Sequence, residues 1–171
     1  PPLALCGECA DEILGGYPWF HREDALLARV FPWSPDIHRR ASLLRPEVAE
    51  VLGLPEYVAA RYEETVREVP SLPGESMTET RRREMSYLNL RWFMATLLER
   101  KDRCSMACGL EVRVPYADHR IIELIYNTPW DYKCHGGVRK SLLRDAAKGL
   151  LPEEVLQRKK SPYPKTHNPD Y

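Results

Sequence analysis

The chain has 171 residues with 25 basic and 25 acidic side chains, and 43% of its residues are hydrophobic. A chain of this length can form one domain with its own core, and the zero net charge excludes a general attraction to nucleic acid or acidic membranes. No apolar run approaches the roughly 20 residues of a membrane helix. No charged segment followed by an apolar one predicts a signal peptide within these residues, so we expect a cytoplasmic protein without nucleic-acid or membrane partners.

The amino-terminal residues predict a strand, a turn and a helix. Residues 3–5 are apolar and indicate the end of a buried strand, after which Gly7 opens a turn. Residues 8–14 can form a helix whose first-turn carboxylates suit the helix dipole, and Gly15 with Gly16 ends it. This order of elements is typical of one unit of an α/β nucleotide-binding domain.

Helices separated by proline and glycine follow. Residues 23–30 can form a short helix, and Pro46 begins another that ends at Gly53. Residues 56–69 carry a helical apolar stripe. Residues 70–76 are the best linker candidate, so a mobile loop is expected there.

The strongest helical pattern runs from Thr78 to residues 100–103. Its apolar residues recur at intervals of three and four and cover nearly the whole circumference, which predicts burial on several sides. A second, separate short helix is expected from Ser105 to Gly109.

The carboxy-terminal part of the chain, from residue 111, also contains prolines and capping residues that limit its helices. Pro115 prevents a plain helix over 111–116, and Asp118 caps the helix that follows. The remaining predicted segments are helices over 138–148 and 153–158 and an extended tail over 159–171. The predicted fold is therefore mainly α, with at most one strand at the start.

Three carboxylates follow the first turn closely. On a helix, Glu8, Asp11 and Glu12 fall at i, i+3 and i+4 and share one face. A cation such as Mg²⁺ among them would relieve their mutual repulsion. A solvated acidic first turn explains the spacing at least as well, so both interpretations stay open.

A pair of glycines before a basic helix indicates a second candidate site. Gly136 and Gly137 let the backbone approach a ligand, and the N–H groups of such a turn attract anions. Lys140 and Arg144 lie four residues apart on the predicted helix and could hold phosphate. Such turns are common, so the pattern alone is weak evidence.

The segment 110–120 packs charges into an apolar frame. Buried carboxylates and guanidinium groups need partners, so a structural network of ion pairs is preferred here over direct catalysis. Its members are Glu111, Arg113, Asp118 and Arg120.

Five cysteines allow a metal interpretation. Cys6 and Cys9 form a C-x-x-C pair, and Cys104 and Cys108 lie four apart, a spacing compatible with structural zinc. An odd number of cysteines without a signal peptide argues against a secreted disulfide framework. Reduced thiols are the preferred interpretation.

Taken together and in this order, these motifs resemble the carboxy-terminal part of the synthetase domain of glutamine-dependent asparagine synthetases. Residues 6–17, CGECADEILGGY, are similar to the family's S-G-E-G-A-D-E segment and the G-G-Y that follows it. Residues 102–120 resemble its D-R-x-S-M-A and L-E-x-R-V-P-F-L-D stretches. Residues 137–144 resemble its G-K-x-x-L-R helix, and residues 150–160 its closing L-L-P and R-K-K. The match spans nearly the whole chain.

The resemblance implies the helical part of an α/β adenine-nucleotide α-hydrolase-like domain of the PP-loop ATP pyrophosphatase type. In these ligases ATP activates the side-chain carboxylate of aspartate as an acyl-adenylate, and pyrophosphate leaves. Ammonia made from glutamine in another domain then attacks. The resemblance therefore implies ATP and Mg²⁺ as cofactors, with aspartate, ATP and glutamine-derived ammonia as partners of the parent protein.

The resemblance also assigns roles to individual residues. It makes Asp11 a Mg²⁺ ligand beside the pyrophosphate, Glu8 an acceptor of a proton from ammonia, and Lys140 a counter-charge for the phosphate and acyl oxygens. It places Arg113 and Asp118 in the pocket wall. The other residues implied for the pocket are Gly7, Glu12 and Gly137.

Two parts that the family implies are not found in these residues: the S-G-G-x-D-S pyrophosphate loop and the glutaminase domain with its amino-terminal cysteine. We therefore expect a part of a larger synthetase that is inactive alone. Cys6 and Cys9 replace the family's serine and glycine, and Cys9 adds bulk beside the cation site. A domain cut within its sheet also predicts an exposed apolar face and homo-oligomerisation through it.

Three alternatives stay open at this point. A β-lactam-synthetase-like enzyme would form an amide by closing a ring within its substrate, but ring-closing enzymes resemble one another in having a tyrosine at the position of Glu8. The others are a Cys-rich zinc-binding helical module and a stand-alone helical interaction domain.

Overall fold

The computed structural model describes residues 2–159. Two short strands, β1 (Leu3–Leu5) and β2 (Glu111–Arg113), pair in parallel, with their first residues opposite each other. The prediction of at most one strand is therefore wrong. Three residues just before Pro115 are too few to show an alternating pattern, whereas the backbone groups of β1 need hydrogen-bond partners.

The rest of the described chain is mainly helical, which confirms the predicted fold class. The α-helices are α1 (Ala10–Ile13), α2 (Glu23–Leu27), α3 (Ile37–Ala41), α4 (Pro46–Leu52), α5 (Leu54–Arg67), α6 (Met77–Leu88), α7 (Ala95–Ala107), α8 (His119–Asn127), α9 (Trp130–Lys133), α10 (Ser141–Ala146) and α11 (Glu153–Leu156). Short 3₁₀ helices occupy Pro18–His21, Pro115–Ala117 and His135–Gly137, and a π-helical stretch, Asn89–Met94, joins α6 to α7. None of the described helices is long and apolar enough to cross a bilayer.

Helix α6, the π-helical stretch and α7 follow one another without a break. The predicted end at residues 100–103 is wrong, because this charged run lies along the side of α7, where Arg103 pairs with Glu99 at 2.7 Å. The separate helix predicted from Ser105 is the last turn of α7. The predicted burial holds for α6, which buries Met85 completely, but no residue of α7 is buried.

The core nearest the candidate site packs α1 against the π-helical stretch and α8. Its buried residues are Cys9, Ala10, Ile13, Leu14, Met94 and Ile125. Complete burial of one aliphatic side chain contributes about 2 kcal/mol. Packing therefore holds α1 in place, since a helix of four residues has little stability of its own.

Residues 70–76 form neither helix nor strand, as predicted for a linker. The loop is nevertheless held to α6, because Glu75 accepts hydrogen bonds from the Arg83 guanidinium, the shortest at 2.5 Å. The capping role predicted for Asp118 is confirmed, since its carboxylate accepts from the Arg120 backbone N–H at 2.9 Å.

Some boundaries and surfaces differ from the predictions. Helix α10 is shorter than the predicted helix over 138–148, and the tail predicted for 159–171 lies outside the described residues from 160 onward. Leu3 and Leu5 on β1 are 53% and 74% exposed, in line with the expected apolar face.

Candidate functional site

The first candidate site follows β1, where a left-handed residue sets the start of α1. Cys9 has a φ of 73°, so α1 begins at Ala10 and Glu8 lies in the turn before it. Within residues 2–159, no group of three or more His, Cys, Asp or Glu side chains is placed to hold a metal ion. Glu8, Asp11 and Glu12 therefore do not form a three-carboxylate cation site, and each of them has different contacts.

Glu8 contacts α7. Its Oε1 lies 3.3 Å from Arg100 Nη2 and its Oε2 lies 3.5 Å from Lys101 Nζ. The Glu8 side chain is 19% exposed, whereas that of Arg100 is 60% exposed. These two ion pairs connect the turn after β1 to α7.

Asp11 pairs with Lys140, a residue far along the chain. Lys140 Nζ lies 2.9 Å from Asp11 Oδ1 in an ion pair, and each side chain is 24% exposed. A Cβ atom at Gly16 would overlap the Asp11 carboxylate. Glycine at this position therefore leaves the space that the carboxylate occupies.

Glu12 is buried inside the fold, with 2% of its surface exposed. The Tyr17 hydroxyl donates to Glu12 Oε1 at 2.5 Å. Burial raises the pKa of the Glu12 carboxyl, because the charged form loses its hydration. Burial and this hydrogen bond also raise the pKa of Tyr17.

Cys9 is completely buried, and burial raises the pKa of its thiol to about 12. The extra bulk that Cys9 was expected to add beside the cation site is therefore packed in the core. Cys104 and Cys108 are exposed. With no metal-ligand group formed by residues 2–159, the described chain does not support the zinc-binding alternative.

The second candidate site is the turn before α10. Gly136, Gly137 and Lys140 all have positive φ values, 58°, 76° and 56°. Lys140 therefore lies in the turn, whereas the sequence predicted it on the helix. The Ser141 hydroxyl donates to the Tyr132 carbonyl at 3.0 Å and accepts from a backbone N–H at 2.7 Å. The buried serine therefore holds this turn against α9.

Arg144, suggested by the sequence as a phosphate-binding residue, lines the cavity described below and also donates hydrogen bonds to the backbone. Its guanidinium donates to the backbone carbonyls of Arg139, at 3.1 Å, of Arg158, at 3.0 Å, and of Leu156. The side chain thereby ties the turn before α10 to the residues at and after the end of α11. Its hydrogen-bonding groups are directed at the protein backbone.

An open cavity of about 740 Å³ lies between these two sites. Asp11, Gly137 and Lys140 line this cavity. Three other residues predicted for the site, Gly7, Glu8 and Glu12, do not line it. The cationic side chains among its lining residues are Arg139, Lys140, Arg144, Arg158 and Lys159, and Asp11 is the acidic one. The charges of this cavity therefore favour an anionic ligand.

A contact that the sequence analysis missed links the two sites. His21 Nε2 lies 2.9 Å from the Gly15 carbonyl oxygen, and His21 Nδ1 lies 3.8 Å from Cys134 Sγ. With the proton on Nε2, His21 donates to Gly15 and can accept from the thiol, and burial lowers its pKa. No spacing in the sequence relates His21 to Cys134.

The proposed ion-pair network is instead two separate local pairs. Glu111 pairs with Arg113 at 2.8 Å, and Asp118 pairs with Arg120 at 2.7 Å. The Arg113 and Arg120 side chains are mostly exposed, so their burial was wrongly predicted. The Arg120 guanidinium lowers the pKa of Asp118.

The sequence of this chain is similar to those of known proteins. A family model described as asparagine synthase matches residues 3–171. The chain is 53% identical over 169 residues to glutamine-hydrolysing asparagine synthetase 3 of Bacillus subtilis, a match that covers 99% of this chain and 27% of that protein. It is 30% identical over 191 residues to asparagine synthetase 1 of the same bacterium, covering 95% of this chain and 30% of the relative. The chain thus spans less than a third of the length of these curated relatives.

Proposed function

This chain belongs to the asparagine synthase family, and from that premise we propose that it forms part of a site at which ATP activates aspartate for conversion to asparagine. In this proposal ATP forms an acyl-adenylate on the side-chain carboxylate of aspartate, and ammonia derived from glutamine displaces the adenylate. Relatives named glutamine-hydrolysing asparagine synthetase support the substrates. They also favour amide formation from ammonia over ring closure and over an interaction module.

The ion pair between Asp11 and Lys140 is the observation that carries this proposal. It places one carboxylate and one ammonium group 2.9 Å apart at the wall of a cavity rich in cations. Adenylation releases pyrophosphate, whose charge grows as the bond to the α-phosphate breaks. A fixed ammonium group stabilises such charge where it develops, without reorganisation.

Asp11 fits the binding of Mg²⁺ together with phosphate oxygens. Mg²⁺ uses one or two protein carboxylates and completes its octahedron with water and substrate phosphates. A single carboxylate at the cavity wall, with space left for it by Gly16, is consistent with this pattern. When bound, the cation would neutralise phosphate charge, and Asp11 would hold it next to Lys140.

Glu8 is the proposed proton acceptor for the attacking ammonia. A carboxylate accepts a proton efficiently only when it lies within hydrogen-bond distance of the nucleophile. Glu8 lies in the turn before α1, where it is held by Arg100 and Lys101. The substrate must therefore reach this turn and take the place of a cationic partner.

Glu12 and the two glycines of the proposed pocket contribute in another way. Glu12 is buried against Tyr17, so its proposed role is to hold α1 in position and not to touch the substrate. Gly137, with a φ of 76°, allows the tight turn that presents Lys140. Gly7 has open space where a Cβ would lie, which lets a substrate approach the backbone.

Pyrophosphate binding tests this proposal on the chain itself. Isothermal titration with magnesium pyrophosphate should give one site, and Lys140→Asn should weaken it at least about tenfold, because one charge-assisted contact is lost. Asparagine tolerates the left-handed backbone at this position. Lys148→Gln, which removes an exposed lysine paired with Asp145, is the matched control. Equal affinity in the Lys140→Asn variant would contradict the proposal.

A further inference from the structure

A histidine and a cysteine that are distant in the sequence form a pair that the proposed reaction does not use. His21 Nδ1 lies 3.8 Å from Cys134 Sγ, within the range of a hydrogen bond that involves sulfur. His21 ends the 3₁₀ helix Pro18–His21, and Cys134 directly follows α9. Neither residue lines the larger cavity. Both are partly exposed, so a small reagent can approach them from solvent.

The ring of His21 is oriented so that it can act as a base towards this thiol. On its other side, Nε2 lies 2.9 Å from the carbonyl oxygen of Gly15, which can only accept a hydrogen bond. The proton of the neutral ring is therefore on Nε2, and Nδ1 keeps a lone pair for the Cys134 S–H. The ring also packs against Trp130, with 5.5 Å between the ring centres. Burial lowers the pKa of His21, so the ring is mainly neutral at pH 7.

The Cys134 thiol needs such a base in order to react. Burial raises its pKa above the ordinary value of 9.0, and the opposing charges of Arg82 and Arg139 do not cancel this effect. Little thiolate is therefore present at pH 7, although the thiolate is the reactive form of cysteine. A neighbouring base that takes the proton during attack removes this limitation, and a base that is itself held by a third group is typical of activated nucleophiles.

The charges around the pair also suit this chemistry. Arg82 on α6 and Arg139 in the turn before α10 act electrostatically on both His21 and Cys134, whereas Asp131 on α9 acts on Cys134 in the opposite sense. The Arg82 guanidinium carbon lies 4.5 Å from the centre of the Trp130 ring, a contact that limits its movement. Two cations against one carboxylate stabilise negative charge on sulfur and attract an anionic reagent.

We propose that Cys134 is a site of reversible thiolation by a small disulfide such as glutathione disulfide, with His21 as the base. The thiol proton passes to His21 Nδ1 while Cys134 Sγ attacks one sulfur of the reagent. A new S–S bond forms at Cys134, the S–S bond of the reagent breaks, and its other half leaves as a thiolate with the bonding electrons. This thiolate then takes the proton from His21. Cys134 is oxidised, and one reduced thiol is released.

The relative rates of the cysteines in one sample test the proposal without any substitution. Glutathione disulfide reacts with the purified chain at pH 7, and peptide mass spectrometry follows each cysteine. Exposure alone would make Cys104 and Cys108 react before Cys134, because both are more exposed. We expect Cys134 to react about tenfold faster than either, since general-base assistance exceeds the loss from its raised pKa. An equal or lower rate at Cys134 would overturn the proposal.

Substitution of the base tests its role. His21→Gln keeps an N–H group for the Gly15 carbonyl but has no basic nitrogen, so the rate at Cys134 should fall at least about tenfold. The rate at Cys104 should stay the same in this variant. His135→Gln, which removes an exposed histidine next to Cys134, is the matched control and should leave both rates unchanged. An undiminished rate at Cys134 in His21→Gln would contradict the role of His21.

The pH profile of the parent chain separates a base from a residue that only supports the fold. The pKa of His21 lies below 6.5, so the neutral ring is already the main form at pH 6.5 and the rate at Cys134 should change little up to pH 7.5. A free cysteine peptide in the same samples should react about tenfold faster at the higher pH, because only its thiolate attacks. A tenfold rise at Cys134 as well would overturn the proposal.

This inference is independent of the proposed synthetase reaction. Thiolation at Cys134 involves no ATP, and neither member of the pair lines the larger cavity. The rate measurements above can therefore fail while magnesium pyrophosphate still binds beside Lys140, and the reverse can also occur.

Discussion

Lys140 and Asp11 meet at 2.9 Å and join the turn before α10 to the first turn of α1. The two residues come from opposite ends of the described chain, and both line the larger cavity. Their ion pair therefore has two consequences, one for the stability of the fold and one for the charge presented to a ligand.

The strength of this ion pair is measurable with a double-mutant cycle. Asp11→Asn, Lys140→Asn and the double variant are compared by urea unfolding. We expect a coupling energy of about 1 kcal/mol, because both side chains are partly exposed and solvent screens the pair. Additive effects of the two substitutions would show that the contact contributes nothing to folding.

Gly16→Ala should destabilise the fold, since the added methyl group overlaps the Asp11 carboxylate. Overpacking of this kind costs about 1–3 kcal/mol, measured as a lower midpoint of chemical unfolding. Gly7→Ala is the matched control, because a Cβ at Gly7 has no atom within 4 Å. Equal losses in the two variants would contradict the proposed overlap.

Glu12 should make stability fall as pH rises. Its folded-state pKa is above the ordinary value of 4.5, so the folded chain keeps a proton that the unfolded chain releases. The free energy of unfolding therefore decreases from pH 4.5 upward until Glu12 ionises. Glu12→Gln, which cannot ionise and still offers Tyr17 an acceptor, should lose this contribution. Parallel pH profiles for the two proteins would contradict the effect.

Lys133 should act in the opposite direction at higher pH. Its folded-state pKa is about 8 against an ordinary value of 10.5, so the unfolded chain binds the extra proton between these values. The free energy of unfolding then rises with pH from 8 to 10.5, by up to about 3 kcal/mol. The difference in free energy of unfolding between the parent chain and Lys133→Met separates the contribution of Lys133 from those of other titrating groups. A difference that is constant between pH 8 and 10.5 would exclude this contribution.

The 171-residue chain should show no aspartate-dependent exchange of pyrophosphate into ATP. The described site offers cations and one carboxylate, but these residues contain no S-G-G-x-D-S loop to bind pyrophosphate through backbone N–H groups. Radiolabelled pyrophosphate exchange measures the reaction directly. Exchange by the purified chain would show that this loop is dispensable.

Local sequence patterns predicted much of the helical structure. Pro46 at a first helical position and Asp118 as a cap indicate helix starts that the structure contains, because both act through the backbone nearest to them. The charged run at 100–103 predicts a helix end, but α7 continues through it to Ala107. A salt-bridged helix surface and a helix terminus have similar composition, and only the pairing of Glu99 with Arg103 distinguishes them.

The candidate site was predictable only as a set of residues. The motifs identified Asp11, Lys140 and Gly137, which do line one cavity. The motifs did not predict that Glu8 and Glu12 lie outside this cavity, because the helical spacing assumes a helix that begins before Glu8. The left-handed Cys9 moves that start to Ala10. A single φ angle of this kind depends on core packing and has no signature in the spacing of carboxylates.

The parallel pairing of β1 with β2 has a consequence for how the chain folds. These strands enclose residues 6–110, so their hydrogen bonds form only after a very long loop has closed. Contacts within α6 and α7 are local and form early, whereas the sheet that precedes α1 depends on the most distant contacts in the sequence. Acquisition of the Asp11 site is therefore expected to be among the last events of folding, after the helices have formed.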